Sequence, residues 1–150
     1  WILFAAHAFS AAYTALGAQA LISDVVELIP GGKYGGLAFM MAVLFFLGMV
    51  LDPVGIMLIT LPVFLPIVAA NGFDPIWFGI LFVIMMEVGY MTPPFGFNLF
   101  YLKGVAPKGI GMGEIYASVI PYVLVTLLGL ALIVVFPQIA LYLPELFFSR

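Results

Sequence analysis

Long apolar runs fill this sequence, and its information lies in where polar residues, glycines and prolines interrupt them. From Trp1 to Leu16 the residues are apolar or small, and Ser23-Asp-Val-Val-Glu-Leu-Ile-Pro30 then sets Asp24 and Glu27 at i,i+3 on one helical face. This pattern predicts a transmembrane helix followed by a short interfacial one. Pro30-Gly-Gly-Lys33 is a turn. From Gly35 to Ala70 the run is nearly unbroken, but Asp52-Pro53 divides it into two arms of roughly 17 residues, each about 25 Å long against a hydrocarbon core of about 30 Å. Two arms too short to cross predict a re-entrant helical hairpin. Asn71-Gly-Phe-Asp-Pro75 returns the chain to a surface, and Ile76 to Tyr90 reads as a short helix that stops at Met91-Thr-Pro-Pro-Phe-Gly96. A half-helix from about Phe97 to Gly104 is expected to complete that crossing. Glu114 to Ser118 leads into a last apolar helix ending near Phe136, and the tail Pro137 to Arg150 is amphipathic.

Composition places these helices in lipid. The chain is 66% hydrophobic and 7% charged, with a mean hydropathy of +1.31, whereas soluble domains are about 45–50% apolar and about a quarter charged. An all-α membrane protein is therefore the fold class. Trp1 opens directly on an apolar run without Met, polar leader or basic region, so the sequence reads as a fragment and not as a signal peptide. A net charge of -3 offers no basic stripe for nucleic acid. There is no cysteine and a single histidine, His7, which is read as a packing or interhelical hydrogen-bonding residue. Lys103 and Lys108 oppose Lys33 and Arg150, so the positive-inside rule does not orient the spans.

Three acid- or hydroxyl-proline pairs share one pattern: Asp52-Pro53, Asp74-Pro75 and Thr92-Pro93 each read as a helix N-cap followed by the first helical residue. Asp74 lies in a polar turn. Asp52 and Thr92 restart helices within apolar sequence, where irregular backbone is tolerated only if buried in protein or lining a wet cavity. Broken helices are the usual ion and substrate sites of secondary transporters. Their half-helix N-termini attract anions, and the carbonyls freed beside them suit a hard cation. Pro62, Pro66 and Pro121 are read as kinks, but Pro93, Pro94 and Gly96 within five residues imply an unwound segment. Asp52 and Glu87 are the carboxylates deepest in apolar sequence, a functional signal in itself. Asp52 could equally be a simple cap, and Glu87 a bundle-facing or snorkelling carboxylate. Asn98 and Thr60 offer neutral oxygens, or bond between helices. The candidate ion and substrate residues are thus Asp52, Pro53, Thr60, Glu87, Thr92, Pro93, Pro94, Gly96 and Asn98, with Asp52 and Thr92 the candidate cation ligands. No hydrolase or nucleotide-binding motif is present, so no enzyme activity is expected.

Taken in order, Gly48-Met-Val-Leu-Asp-Pro-Val-Gly-Ile-Met-Leu-Ile-Thr-Leu-Pro-Val-Phe-Leu-Pro66, Gly72-Phe-Asp-Pro-Ile-Trp-Phe-Gly79 and Thr92-Pro-Pro-Phe-Gly-Phe-Asn-Leu-Phe100 resemble the second half of the large membrane subunit of tripartite ATP-independent periplasmic (TRAP) transporters. The resemblance implies an elevator-type transporter with two inverted repeats, of which residues 1–150 supply the second. It divides the chain into 1–34 (transmembrane plus interfacial helix), 35–70 (re-entrant hairpin), 76–105 (broken helix) and 114–150 (last transmembrane helix and tail). It further implies sodium-coupled uptake of an organic acid across the bacterial inner membrane by a multi-pass protein. Na+ would be the coupling ion, with no cofactor. The implied partners are a periplasmic substrate-binding protein, a small membrane subunit, the N-terminal half of the same subunit and the lipid bilayer. Phe95 stands where this family more often has a smaller residue such as Val, which bears on the pocket. The contrasting reading is a non-transporting membrane scaffold subunit, distinguished by the absence of sodium-dependent substrate binding.

Overall fold

A computed structural model describes residues 1–17 and 30–148. Every regular element among them is an α-helix: α1 (Ile2–Ala15), α2 (Gly32–Gly48), α3 (Pro53–Ala70), α4 (Pro75–Tyr90), α5 (Phe97–Val105), α6 (Met112–Val135) and α7 (Gln138–Phe148). The interfacial helix expected around Asp24 and Glu27 lies outside the described residues, as does the side chain of His7. Among the described helices only α3 and α6, of 18 and 24 residues, are long and apolar enough to cross a membrane. Helices α2 and α4, of 17 and 16 residues, are apolar but shorter.

Two of the three predicted caps set helix starts. Asp52 sits in extended conformation (φ −72°, ψ 158°), and its Oδ1 accepts the Gly55 N–H at 2.9 Å. Asp74 does the same for α4, accepting from Ile76 at 2.7 Å and Trp77 at 3.0 Å. In both, proline follows at the first helical position, where its missing N–H removes no helix bond. The third pair behaves differently: α5 begins at Phe97, and Gly96, not Thr92, precedes it.

Helix α4 is the centre of the bundle, packing against α2, α3, α5, α6 and α7. Its Phe78, Leu81 and Val88 are fully buried, together with Met40 and Leu44 of α2 and Ile56 and Val68 of α3. Helix α2 runs parallel to α4. At one end the Tyr34 ring meets Phe73 edge-on at 5.7 Å; at the other, Gly48 and Gly89 bring the two backbones together. Helix α6 runs the opposite way, since Trp77 Nε1 donates to Ile133 O at 2.9 Å and Tyr116 Oη donates to Pro94 O at 3.3 Å. Most of its apolar side chains, including Ile120, Leu124, Val125, Leu128 and Leu132, point outward. In water such a surface would be an aggregation liability, but in lipid it is the expected outer face.

The glycine crossing leaves no room for a side chain. A Cβ on Gly89 would lie 2.9 Å from both Gly48 Cα and Phe45 O, backbone atoms that cannot rotate away. Close approach through small residues is how helices associate where no hydrophobic drive exists. Gly89→Ala is expected to destabilise the protein by about 1–3 kcal/mol, the range of core overpacking. Gly79→Ala, in the same helix with nothing within 4 Å of its added Cβ, should be neutral or slightly stabilising. Melting temperatures of the two variants in detergent check this.

Candidate functional site

The Gly48–Gly89 crossing lies at the C-terminal ends of α2 and α4, so it brings together the segments into which the two helices continue. After α2 comes the turn leading to Asp52, and after α4 comes the interruption from Met91 to Gly96. Glu87 and the buried Tyr90 both belong to the last turn of α4, next to the break. Three of the sequence candidates thus surround one end of the bundle: the hairpin turn, the last turn of α4 and the break.

Local sequence explains the shape of the break. The residue before a proline is forced out of the α region, and here both Thr92 and Pro93 precede one. A helix cannot restart at Pro93, contrary to the cap reading of Thr92-Pro93. Thr92 closes the preceding helix instead, its Oγ1 donating to Val88 O at 2.6 Å. Restart waits for Gly96, which takes the left-handed conformation (φ 57°, ψ 67°), accessible to glycine at little cost. A Cβ there would also press on Leu99 Cδ1 at 3.0 Å.

One hydrogen bond spans the break. Asn98 Nδ2, in the first turn of α5, donates to Glu87 Oε1, in the last turn of α4, at 2.7 Å. The two residues were separate candidates in the sequence, and the fold joins them. Tyr116, which no sequence pattern singled out, reaches from α6 to the Pro94 carbonyl. The ring of Tyr90, whose bulk just before the break was already visible in the sequence, meets Phe97 across the break at 6.3 Å. Only the packed structure reveals the Tyr116 contact, because Tyr116 has no distinctive sequence spacing.

Thr60 is not brought to this group. It is buried, its hydroxyl donates within α3 to Ile56 O at 2.7 Å, and it lies about 12 Å of helical rise beyond Asp52. Tyr116 and Ile133, which touch the break and Trp77, are separated by about 26 Å of α6, so the break stands opposite the first turns of α6 and not its middle.

This end carries both helix ends and helix starts. Helices α2 and α4 finish here with the negative ends of their dipoles, and the turns that follow take up part of their last carbonyls, Leu51 N bonding Leu47 O and Thr92 N bonding Gly89 O. Pro53, Pro93 and Pro94 add acceptors without N–H donors. Asp52 keeps Oδ2 unused by its cap, and Gly55 permits the approach: a Cβ there would sit 3.0 Å from that oxygen. Such a set suits a hard cation. The opposite character occurs at the start of α5, which no side chain caps and whose first N–H groups can receive an anion. No group of three or more His, Cys, Asp or Glu residues able to hold a metal occurs among the described residues.

Comparison with known proteins gives this arrangement its context. The family described as "Tripartite ATP-independent periplasmic transporter, DctM component" matches residues 1–139. The ectoine/5-hydroxyectoine TRAP transporter large permease protein UehC of Ruegeria pomeroyi is 36% identical over 117 residues, covering 77% of this chain and 27% of that protein. The C4-dicarboxylate TRAP transporter large permease protein DctM of Pseudomonas aeruginosa is 37% identical over 103 residues, covering 69% and 24%. The sialic acid TRAP transporter large permease protein SiaM of Vibrio cholerae is 35% identical over 104 residues, again 69% and 24%. The chain spans about a quarter of the length of these curated relatives.

The Glu87–Asn98 bond is open to direct measurement. A double-mutant cycle on Glu87→Ala and Asn98→Ala should return a coupling of about 1 kcal/mol, reduced from the usual value for a charged hydrogen bond by its exposure. Additive effects of the two substitutions on melting temperature would show that the bond does not hold the break.

Proposed function

This chain belongs to the DctM-component family of tripartite ATP-independent periplasmic transporters, and from that membership we propose that it is the C-terminal part of a large permease subunit that takes up an organic acid with sodium. The family places it in the inner membrane as a transporter component, not an enzyme. In our reading, α2 and α3 form a re-entrant hairpin that enters at Lys33, turns at Asp52 and returns at Asn71. The length of α2, about 25 Å, supports this, because it falls short of the hydrocarbon core, and α3, with 18 residues, only just reaches the length of a crossing.

The observation that carries the functional reading is the crossing at Gly48 and Gly89, which places the Asp52 turn beside the Thr92–Gly96 break. Sodium binds among the carbonyls of that turn and break, with Asp52, the Thr92 oxygen and Glu87 supplying negative charge or dipole. The carboxylate of the substrate faces the uncapped start of α5 near Gly96 and Asn98. Phe95, half-exposed on the break, borders the substrate and bears on its size. Asp52 and Glu87 are exposed in this chain, which supports a site completed by the remaining three-quarters of the subunit. A periplasmic binding protein delivers the substrate, and a small membrane subunit accompanies the large one. The substrate classes named for the relatives, ectoines, C4-dicarboxylates and sialic acid, all carry a carboxylate and define the range to be tried.

Transport by the complete system in proteoliposomes tests this reading. Asp52→Asn retains a good helix cap and loses only the charge. It should raise the sodium concentration for half-maximal uptake by roughly fivefold, the upper end for one exposed charge interaction, while leaving expression and melting temperature near the parent's. Replacing Pro93 and Pro94 together with Ala should allow α4 to continue and abolish sodium-driven uptake. Unchanged sodium activation in the first variant, or retained coupling in the second, would remove this site from the mechanism.

A further inference from the structure

The end of the bundle opposite the break has a distinct character. Lys33, Tyr34, Phe73 and Trp77 gather there, and the Lys33 ammonium lies 5.4 Å from the ring centres of both Tyr34 and Phe73. Phe73 in turn tilts onto Trp77 at 5.3 Å. Aromatic residues with a lysine at the end of apolar helices mark the level of lipid headgroups. From Tyr34 an open groove of about 480 Å3 runs between α2, α4 and α6, lined by Leu37, Met41, Phe45, Met85, Leu130 and Val134. The phenol of Tyr34 is the only polar side-chain group in its lining. Along α2 the groove extends about 16 Å inward from the headgroup level, from Tyr34 to Phe45.

We propose that this groove is a binding site for an anionic phospholipid, with one acyl chain along α2 and its phosphate at Lys33. A hydrocarbon chain one methylene wide fits along the roughly 16 Å of apolar lining. Charge selects the headgroup. Among the described residues Lys33 is the cation at the mouth, and the carboxylate of Asp74 at the same end keeps its charge but is turned to the start of α4, its Oδ1 accepting from Ile76 and Trp77 where the helix dipole offsets it. A zwitterionic lipid would fill the groove equally well but would gain less from Lys33. The site depends on this face of α2, α4 and α6 meeting lipid in the complete subunit, and not on where sodium or substrate binds.

Lipid binding to the complete permease in mixed micelles tests the proposal, using phosphatidylglycerol and phosphatidylcholine with identical acyl chains. Native mass spectrometry reads retained lipid, and thermal shift reads its effect on stability. The parent protein should prefer phosphatidylglycerol by about fivefold, the effect of one basic residue beside an anionic headgroup. Lys33→Gln should abolish the preference while keeping chain-dependent binding, and Lys33→Arg should restore it. Ala42→Phe, which projects into the groove from an exposed position, should weaken both lipids alike. Equal binding of the two lipids by the parent protein, or a preference that survives Lys33→Gln, would overturn the proposal. So would normal lipid binding by Ala42→Phe with loss of subunit assembly, which would give the groove to a neighbouring protein helix.

Discussion

Two backbones meeting at Gly48 and Gly89 set the geometry of everything around them. With no side chain on either residue, α2 and α4 approach until Cβ-sized space is gone, and dispersion over that contact substitutes for the hydrophobic drive that lipid does not provide. The contact falls at the last turn of both helices. Had it fallen at their middles, the helices would diverge toward their ends and carry the Asp52 turn away from the break. Because the helices are parallel, the same crossing places Tyr34 against Phe73 at the far end, so one contact separates an aromatic end from the end where the turn and the break lie.

That second end has an imbalance that a bilayer does not tolerate without compensation. Carbonyls from two helix termini converge where prolines supply no donors, and each unpaired group away from water costs several kcal/mol. Many are satisfied internally: Leu51 N bonds Leu47 O, Met91 N bonds Glu87 O, Thr92 N bonds Gly89 O, the Thr92 hydroxyl bonds Val88 O, and Tyr116 bonds Pro94 O. The rest require a cation or a neighbouring donor, which is the physical reason for reading this end as a coupling-ion site. The same break gives α5 an uncapped start, so acceptors for a cation and donors for a carboxylate stand within a few residues of each other. Glu87 and Asn98, bonded across the gap, hold those two halves in register.

The sequence revealed this fold in proportion to how local each feature is. Asp52-Pro53 and Asp74-Pro75 marked helix starts because a cap and its proline act within one turn. The break was legible from Pro93, Pro94 and Gly96, but Thr92 was read as a cap although the pre-proline restriction acts twice in succession and delays the restart to Phe97. Glu87 and Asn98 were each visible as polar residues in apolar sequence, but their bond depends on the angle the chain takes through the break, which no residue count determines. The chain has 16 glycines, and only the packed structure identifies Gly48 and Gly89 as the pair that meets. Tyr116 stayed hidden for the same reason, since its partner is set by the antiparallel run of α6 against α4. The TRAP resemblance drawn from the motifs, by contrast, agrees with the family match over residues 1–139.

The central claim is that the hairpin turn and the helix break form one sodium site. The chain contains no cysteine, so in a complete permease with any other cysteines removed, single cysteines at Val54 and Phe95, both about half-exposed, report on the turn and the break separately. Labelling with a membrane-impermeant thiol reagent across a sodium titration, with potassium as control, is the direct measurement. One site predicts that sodium slows labelling at both positions with the same half-effective concentration. Protection at one position alone, at neither, or at clearly different sodium concentrations would contradict it.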